Sequence, residues 1–276
     1  MKQTAFRWVI VAGAALVVGP IAGRLVASIH APDGGTDATA FLSSSPALGL
    51  VMVLVALALA SAYGHIAAKL LNFKWGMLCA GLIIAWGAWQ SGRVDALIRR
   101  VQAPSALWTL AIEAAVYAVL GTAMSWFLTR ASDRKAAFWG TDAGARQDSL
   151  TALGVGIVVG GIAAWGVARS EMVGQTFAAA TAAGAIGTLV GRIAGHRAIV
   201  PVSVAANLLL GIAGPIIAAI TQGSTIVETL YRGDLFPLAR PVPLDWLAGT
   251  FVGVAVGVSW AGSMVEKHVP NQAPAS

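Results

Sequence analysis

Long apolar runs alternate with short polar segments from one end of the chain to the other, and tryptophans stand at many of the junctions. A hydrocarbon core about 30 Å thick takes about 20 consecutive apolar residues of helix to cross. Runs of that order fall roughly at residues 7–29, 47–68, 75–90, 106–128, 150–168, 172–194, 199–220 and 246–265. The pattern predicts an all-α fold, a polytopic transmembrane helix bundle of about 8 spans. Residues 1–276 read as a single integral membrane domain.

Composition strengthens that picture. The 276 residues are 57% hydrophobic and 11% charged, where a soluble domain carries about 25% charged residues. Crossings use up most of the length, leaving loops and short tails rather than a separate soluble domain. A net charge of +6 would point to nucleic acid in a soluble chain. Here the basic residues gather at the ends of apolar runs, so the expected partner is the lipid bilayer and no nucleic acid. Cys79, the single cysteine, excludes an intrachain disulfide and a cysteine metal cluster; it reads as a buried thiol. Lys2 and Arg7 before an apolar run also resemble the start of a signal peptide. That run is about 22 residues long, enough to span, and is read as an uncleaved first crossing. Cleavage near Val26–Ser28 or Ile29–Ala31 would leave seven crossings without altering the orientation of the others.

Lysine and arginine concentrate on the cytoplasmic side of a membrane protein. A cytoplasmic amino terminus places Lys2, Arg7, Lys69, Lys74, Arg130, Arg134, Lys135, Arg146, Arg192, Arg197 and Lys267 inside, most of the 18 basic residues. Both termini then face the cytoplasm, as in a protein of the cell (inner) membrane. Arg93, Arg99 and Arg100 violate the bias. Around them Val94, Leu97, Ile98 and Val101 recur at helical spacing. The segment is either a short helix lying in the headgroup region or a continuation of the third span. Trp8, Trp75, Trp89, Trp108, Trp126, Trp165, Trp246 and Trp260 fall near span ends, as an interfacial aromatic belt requires.

Two loops are long. The inner one, 129–149, mixes Arg130, Arg134, Lys135 and Arg146 with Phe138 and Trp139, suited to anionic lipid or to a docking partner. The outer one, 221–245, carries apolar residues and then Pro237, Pro241 and Pro243, which forbid a regular helix in its second half. It is expected to fold back over the outer face.

Glycines recur four apart at Gly187, Gly191 and Gly195, at Gly249, Gly253 and Gly257, and at Gly156 and Gly160. Small residues at this spacing let helices approach closely in lipid. They predict tight packing among the fifth, sixth and eighth spans, or a seam for a second copy or another membrane subunit. The sixth span, built from alanine, glycine and threonine, is expected in the middle of the bundle. Gly19-Pro20-Ile21 and Gly214-Pro215-Ile216 are alike, and read as ordinary proline breaks rather than as an internal repeat.

Charge inside a membrane is a functional hypothesis by default. Of the 12 acidic residues only Glu113 lies well inside a span. Thr109, Glu113, Tyr117, Gly121 and Ser125 follow one another at i+4, a stripe that belongs against protein or water. Facing a cavity, Glu113 would bind a proton or cation, with Tyr117 donating a hydrogen bond to it. The competing reading pairs it with Arg24, since at ~1.5 Å per residue both stand about 20–25 Å above the inner boundary. Asn207 reads as an interhelical hydrogen bond. His65, His196 and His268 lie toward the inner face and His30 outside, an arrangement that gives no haem or metal site, and no cofactor is expected. There is no H-E-x-x-H, G-x-S-x-G or Walker motif.

Three functions fit these features. A small permease or channel subunit needs a wetted cavity at Glu113, Tyr117 and Asn207. A non-catalytic assembly subunit needs a sealed interior. An enzyme acting on a lipid-linked substrate needs Glu228, Arg232, Asp234, Arg240 and Asp245 to converge at the outer face. The permease is the leading expectation, on the general habit of such bundles to move solutes.

Overall fold

The structure is a computed structural model that describes residues 2–133 and 142–265. It is 82% helical, with no strand among the described residues. In chain order the elements are α1 (Lys2–Gly13), a π-helical turn (Ala14–Val18), α2 (Gly19–Ala27), α3 (Pro46–Leu70), α4 (Phe73–Gln90), α5 (Val94–Val101) and α6 (Ser105–Ser132). Then follow α7 (Ala143–Val167), α8 (Val173–Ala194), α9 (Val200–Gln222), α10 (Ile226–Tyr231) and α11 (Pro243–Val265). Arg134, Lys135, Phe138, Trp139, Lys267 and His268, which the sequence singled out, lie outside the described residues.

Seven helical stretches among the described residues are long and apolar enough to cross a membrane: Thr4–Ala27, Pro46–Leu70, Ser105–Ser132, Ala143–Val167, Val173–Ala194, Val200–Tyr231 and Pro243–Met264. The chain is a multi-pass membrane protein. α4 is the run that separates these seven from the expected eight. It has 18 residues, about 27 Å of helix, and Lys74, Gln90 and three tryptophans dilute its hydropathy. It packs among α2, α3 and α11.

The first crossing shows how local chemistry shapes a helix. Pro20 has no N–H to donate, and its ring clashes with the preceding turn of an α-helix. The chain widens into a π turn just before it, where Gly19 N–H bonds the Ala14 carbonyl five residues back. The next carbonyl, Ala15, would await an N–H from residue 20. It receives the Trp86 indole Nε1–H from α4 instead, at 2.7 Å. Gly19 makes room, since a Cβ there would stand 2.7 Å from that same nitrogen. The second Gly-Pro-Ile is handled differently: α9 runs through Pro215 without a π turn. No local symmetry relates the two.

The Val200–Tyr231 stretch and α11 are the most enclosed spans, 56% and 61% buried, and α7 the least at 22%. Trp246, Leu247 and Phe251 of α11 fill the centre and are fully buried. The sequence placed the sixth span, α8, in the middle; it lies between α7 and α11 with 44% of its length buried. Its small side chains let both neighbours approach but fill little volume themselves. A Cβ at Gly187 would stand 2.8 Å from the Gly156 carbonyl, one at Gly191 2.9 Å from the Ala152 carbonyl, and one at Gly249 2.7 Å from the Thr181 nitrogen. Gly195 abuts the Asp148 carbonyl, Gly253 the Thr181 carbonyl and Gly257 the Ala185 carbonyl. All six of these glycines thus face another element of this chain.

Of the tryptophans expected in an aromatic belt, Trp8, Trp89, Trp108, Trp165 and Trp260 are 44–65% exposed. Trp246 is the exception, 1% exposed and pressed against Gly211. The close approach of α9 at Gly211 encloses its ring.

The segment around Arg99 is a separate helix, α5, set off from α4 by Ser91, Gly92 and Arg93. Val94, Leu97 and Ile98 are buried in one cluster with Leu107 and Leu110 of α6 and Leu230 of α10. Its charges are balanced locally. Asp95 sits 3.6 Å from both Arg93 and Arg99, and Arg100 pairs with Asp33 at 2.9 Å.

Candidate functional site

Glu113 lies on the third turn of α6, about 12 Å along the helix from Ser105, and is 1% exposed. A carboxylate there needs donors. They come from the segment between α2 and α3. The Thr39 hydroxyl donates to Oε2 at 2.7 Å, the Phe41 N–H to Oε2 at 3.1 Å and the Ala40 N–H to Oε1 at 3.3 Å. The need is mutual, because Ala38, Thr39 and Ala40 are themselves buried and a buried backbone N–H requires an acceptor. Gly92 lets this segment approach α4: its N–H bonds the Ala38 carbonyl at 2.8 Å, and a Cβ would stand 2.5 Å from the Ala38 nitrogen.

Arg24 is exposed, and the donors around Glu113 are Thr39, Ala40 and Phe41; the expected Arg24–Glu113 bridge is not formed. Residues 39–41 take up both oxygens of the carboxylate instead. Tyr117, one turn along, is 1% exposed. It interacts with the same carboxylate, although its hydroxyl meets no partner at hydrogen-bond geometry. Of the remaining stripe, Gly121 and Ser125 are buried, while Thr109 is half-buried and donates to its own helix at the Ser105 carbonyl, 3.0 Å.

Asn207 is fully buried and does not bond across helices. Its Nδ2 donates to the Ser203 carbonyl of its own helix at 2.8 Å. Its Oδ1 faces bare backbone, within 2.9 Å and 3.1 Å of where a Cβ would stand at Gly160 and Gly187. The glycines of α7 and α8 form a slot for this amide.

A second polar cluster lies at the end of the bundle that carries the 221–245 loop. Arg240 is 6% exposed. Its guanidinium donates to the carbonyls of Leu235 (3.1 Å), Gly233 (2.7 Å) and Ala168 (3.3 Å) and lies 3.4 Å from Glu171. It thereby pins the outer loop to the α7–α8 turn. Gln222 holds the same loop from the other side, donating to the Asp234 carbonyl at 2.9 Å and accepting from Phe236 N–H at 3.0 Å. The loop dips inward as expected from its apolar content, with Leu235, Leu238, Ala239 and Val242 buried.

Asp245 begins α11 and is 3% exposed. Its Oδ2 accepts from Val242 N–H at 3.2 Å, a side chain on the first turn reaching back to cap its own helix. Its Oδ1 meets no partner at hydrogen-bond geometry, although the Thr176 side chain interacts with the carboxyl, and Asp245 lines a space of about 10 Å³ with Ser91, Glu171, Thr176 and Arg240. Such a space holds one water. The five outer polar residues expected to converge therefore divide. Glu228 and Arg232 pair with each other at 2.5 Å on the exposed face of α10, Asp234 stays exposed in the loop, and Arg240 and Asp245 join Glu171 and Thr176. Glu171 and Thr176 had no sequence signal, being isolated polar residues near a span end.

Among the described residues no group of three or more His, Cys, Asp and Glu side chains could hold a metal ion. His65 stacks on Phe127, His30 Nδ1–H donates to the Ser28 carbonyl at 2.8 Å, and His196 lies 3.5 Å from Asp148. No protein-family model, no curated protein and no solved structure matches the chain, so function is argued from this geometry.

Proposed function

We propose that the chain crosses the cell (inner) membrane eight times, α4 included, with both termini cytoplasmic, and serves as a non-catalytic structural subunit of a larger membrane complex. The observation that carries this reading is the state of Glu113. The one carboxylate deep in a span is committed to Thr39, Ala40 and Phe41, fastening a segment rather than facing a path. Arg240 fastens the outer loop in the same manner. Both are devices for holding one shape. Extraction from native membranes in mild detergent after in-membrane cross-linking tests it. Recovery in fixed stoichiometry with other membrane subunits is expected; recovery as an isolated monomer overturns it.

A small permease is the second reading, and Asp245 favours it. A buried carboxyl with one oxygen outside hydrogen-bond geometry and Thr176 beside it, lining a water-sized space, suits a group that takes up a proton or small cation. Ion flux in proteoliposomes that disappears in Asp245→Asn with the protein still inserted would support this reading over the first. Absence of flux in the wild type removes it.

A further inference from the structure

We propose that a groove between the inner ends of α3 and α6 binds the phosphate of an anionic phospholipid, with Lys69 and Arg130 as its cationic walls. The groove is about 650 Å³ and is lined by His65, Lys69, Trp126, Phe127, Arg130 and Ala131. It is independent of the structural-subunit reading and of Glu113.

The two cations come from different helices. Lys69 is in the last turn of α3 and Arg130 in the last turn of α6. Neither is among the ion pairs of the described residues, in contrast to Arg93, Arg99 and Arg100 at the outer end, each of which lies near an aspartate. Two cations across a groove, with no carboxylate among its lining residues, present a site for an anion. The Arg130 guanidinium lies over the Trp126 ring, 4.9 Å from its centroid, which holds it at the groove. His65 of α3 stacks on Phe127 of α6 at 4.3 Å and 17°, bracing the two walls. Its Nδ1 is buried with no partner.

The apolar surroundings select a lipid over a free anion. Phe127 is 44% exposed, and Ile66 and Leu70 on α3 are 55% and 56% exposed. An acyl chain would run along these side chains while its phosphate sits between Lys69 and Arg130. Inorganic phosphate would gain nothing from them. Basic pockets between helices on the cytoplasmic side of a membrane are suited to anionic headgroups, and the inner position of these two helix ends follows from the distribution of lysine and arginine.

The test uses the full chain, purified in mild detergent and exchanged into nanodiscs of phosphatidylglycerol and phosphatidylcholine, with retained lipid counted by native mass spectrometry. Wild-type protein is expected to retain phosphatidylglycerol preferentially. Lys69→Gln and Arg130→Gln should each lower that retention about fivefold, and the charge-preserving pair Lys69→Arg and Arg130→Lys should keep most of it, which separates binding from misfolding. Lys74→Gln, at another inner helix end, should leave it unchanged. Equal loss in Lys74→Gln would show a diffuse surface attraction and overturn the site. Displacement of the lipid by millimolar inorganic phosphate would overturn the lipid assignment in favour of a free anion.

Discussion

Glu113 shows how one side chain acquires its meaning from residues far away in sequence. A mid-helix glutamate in a membrane announces itself, but whether it is wetted, bridged or clasped depends on what reaches it. Here the donors are a hydroxyl and two backbone N–H groups from residues 39–41, and a loop of ordinary composition carries no sign that it will do so. Glu113→Gln replaces one acceptor oxygen by an NH2 group that faces donors. Removing one side of a buried hydrogen-bonded set typically costs about 1–3 kcal/mol. Reversible unfolding in mixed micelles should show a loss of that size, with faster exchange at the Ala40 and Phe41 amides; an unchanged midpoint would mean the clasp contributes nothing. Outside the spans, Asp33 accepts from Gly35 N–H at 3.0 Å and from Arg100 at 2.9 Å. The backbone bond, and then Arg100, hold its carboxyl below the ordinary aspartate range. A lowered value means that the contact is intact at and above the ordinary aspartate pKa of about 3.9 and is lost as the pH falls through the lowered one. Titration by carbon NMR should place Asp33 below that value. In Arg100→Gln it should rise but stay short of the ordinary range, because the larger contribution, from Gly35, survives.

At the scale of elements, two kinds of local rule operate. Proline acts on its own helix: Pro20 displaces a hydrogen bond, a π turn absorbs it and Trp86 caps the Ala15 carbonyl. Glycine acts on the neighbour, by letting backbones touch where lipid supplies no hydrophobic drive between helices. At Gly253 an added side chain would meet the Ala185 nitrogen at 2.7 Å and the Gly184 Cα at 2.8 Å, both backbone atoms of α8 that cannot swing aside. Gly253→Val should therefore destabilise the bundle by about 1–3 kcal/mol, read as an earlier unfolding midpoint. Gly154, with no heavy atom within 4 Å of an added Cβ, is the matched control: Gly154→Val should leave the midpoint nearly unchanged. Equal effects at the two sites would refute the packing argument.

For the molecule as a whole, the strongest forecast concerns topology. Reporters fused at the amino and carboxyl ends should be active in the same compartment, since α4 supplies an even number of crossings if it spans. Opposite signals would make α4 a non-spanning helix and leave seven crossings. Most apolar runs in the sequence matched helices to within about five residues, because hydrocarbon permits little except helix and its thickness sets the length; α7 starts seven residues before its run, and the helical stretch that holds α9 continues to Tyr231. The same runs located the outer loop's inward fold and flagged Glu113. They failed where the outcome depended on which surfaces meet. Trp246 is buried because α9 packs on its ring at Gly211, Asn207 bonds its own backbone in a slot left by Gly160 and Gly187, and Glu113 is taken up by Thr39, Ala40 and Phe41 rather than by Arg24. The length and apolarity of its runs by themselves determined that this is a helical, multi-pass membrane protein and where its long helices lie. Only the tertiary structure decided which buried polar groups are partners, because hydrogen bonding in a low-dielectric interior acts over about 3 Å, and distances that short exist only once the helices have packed.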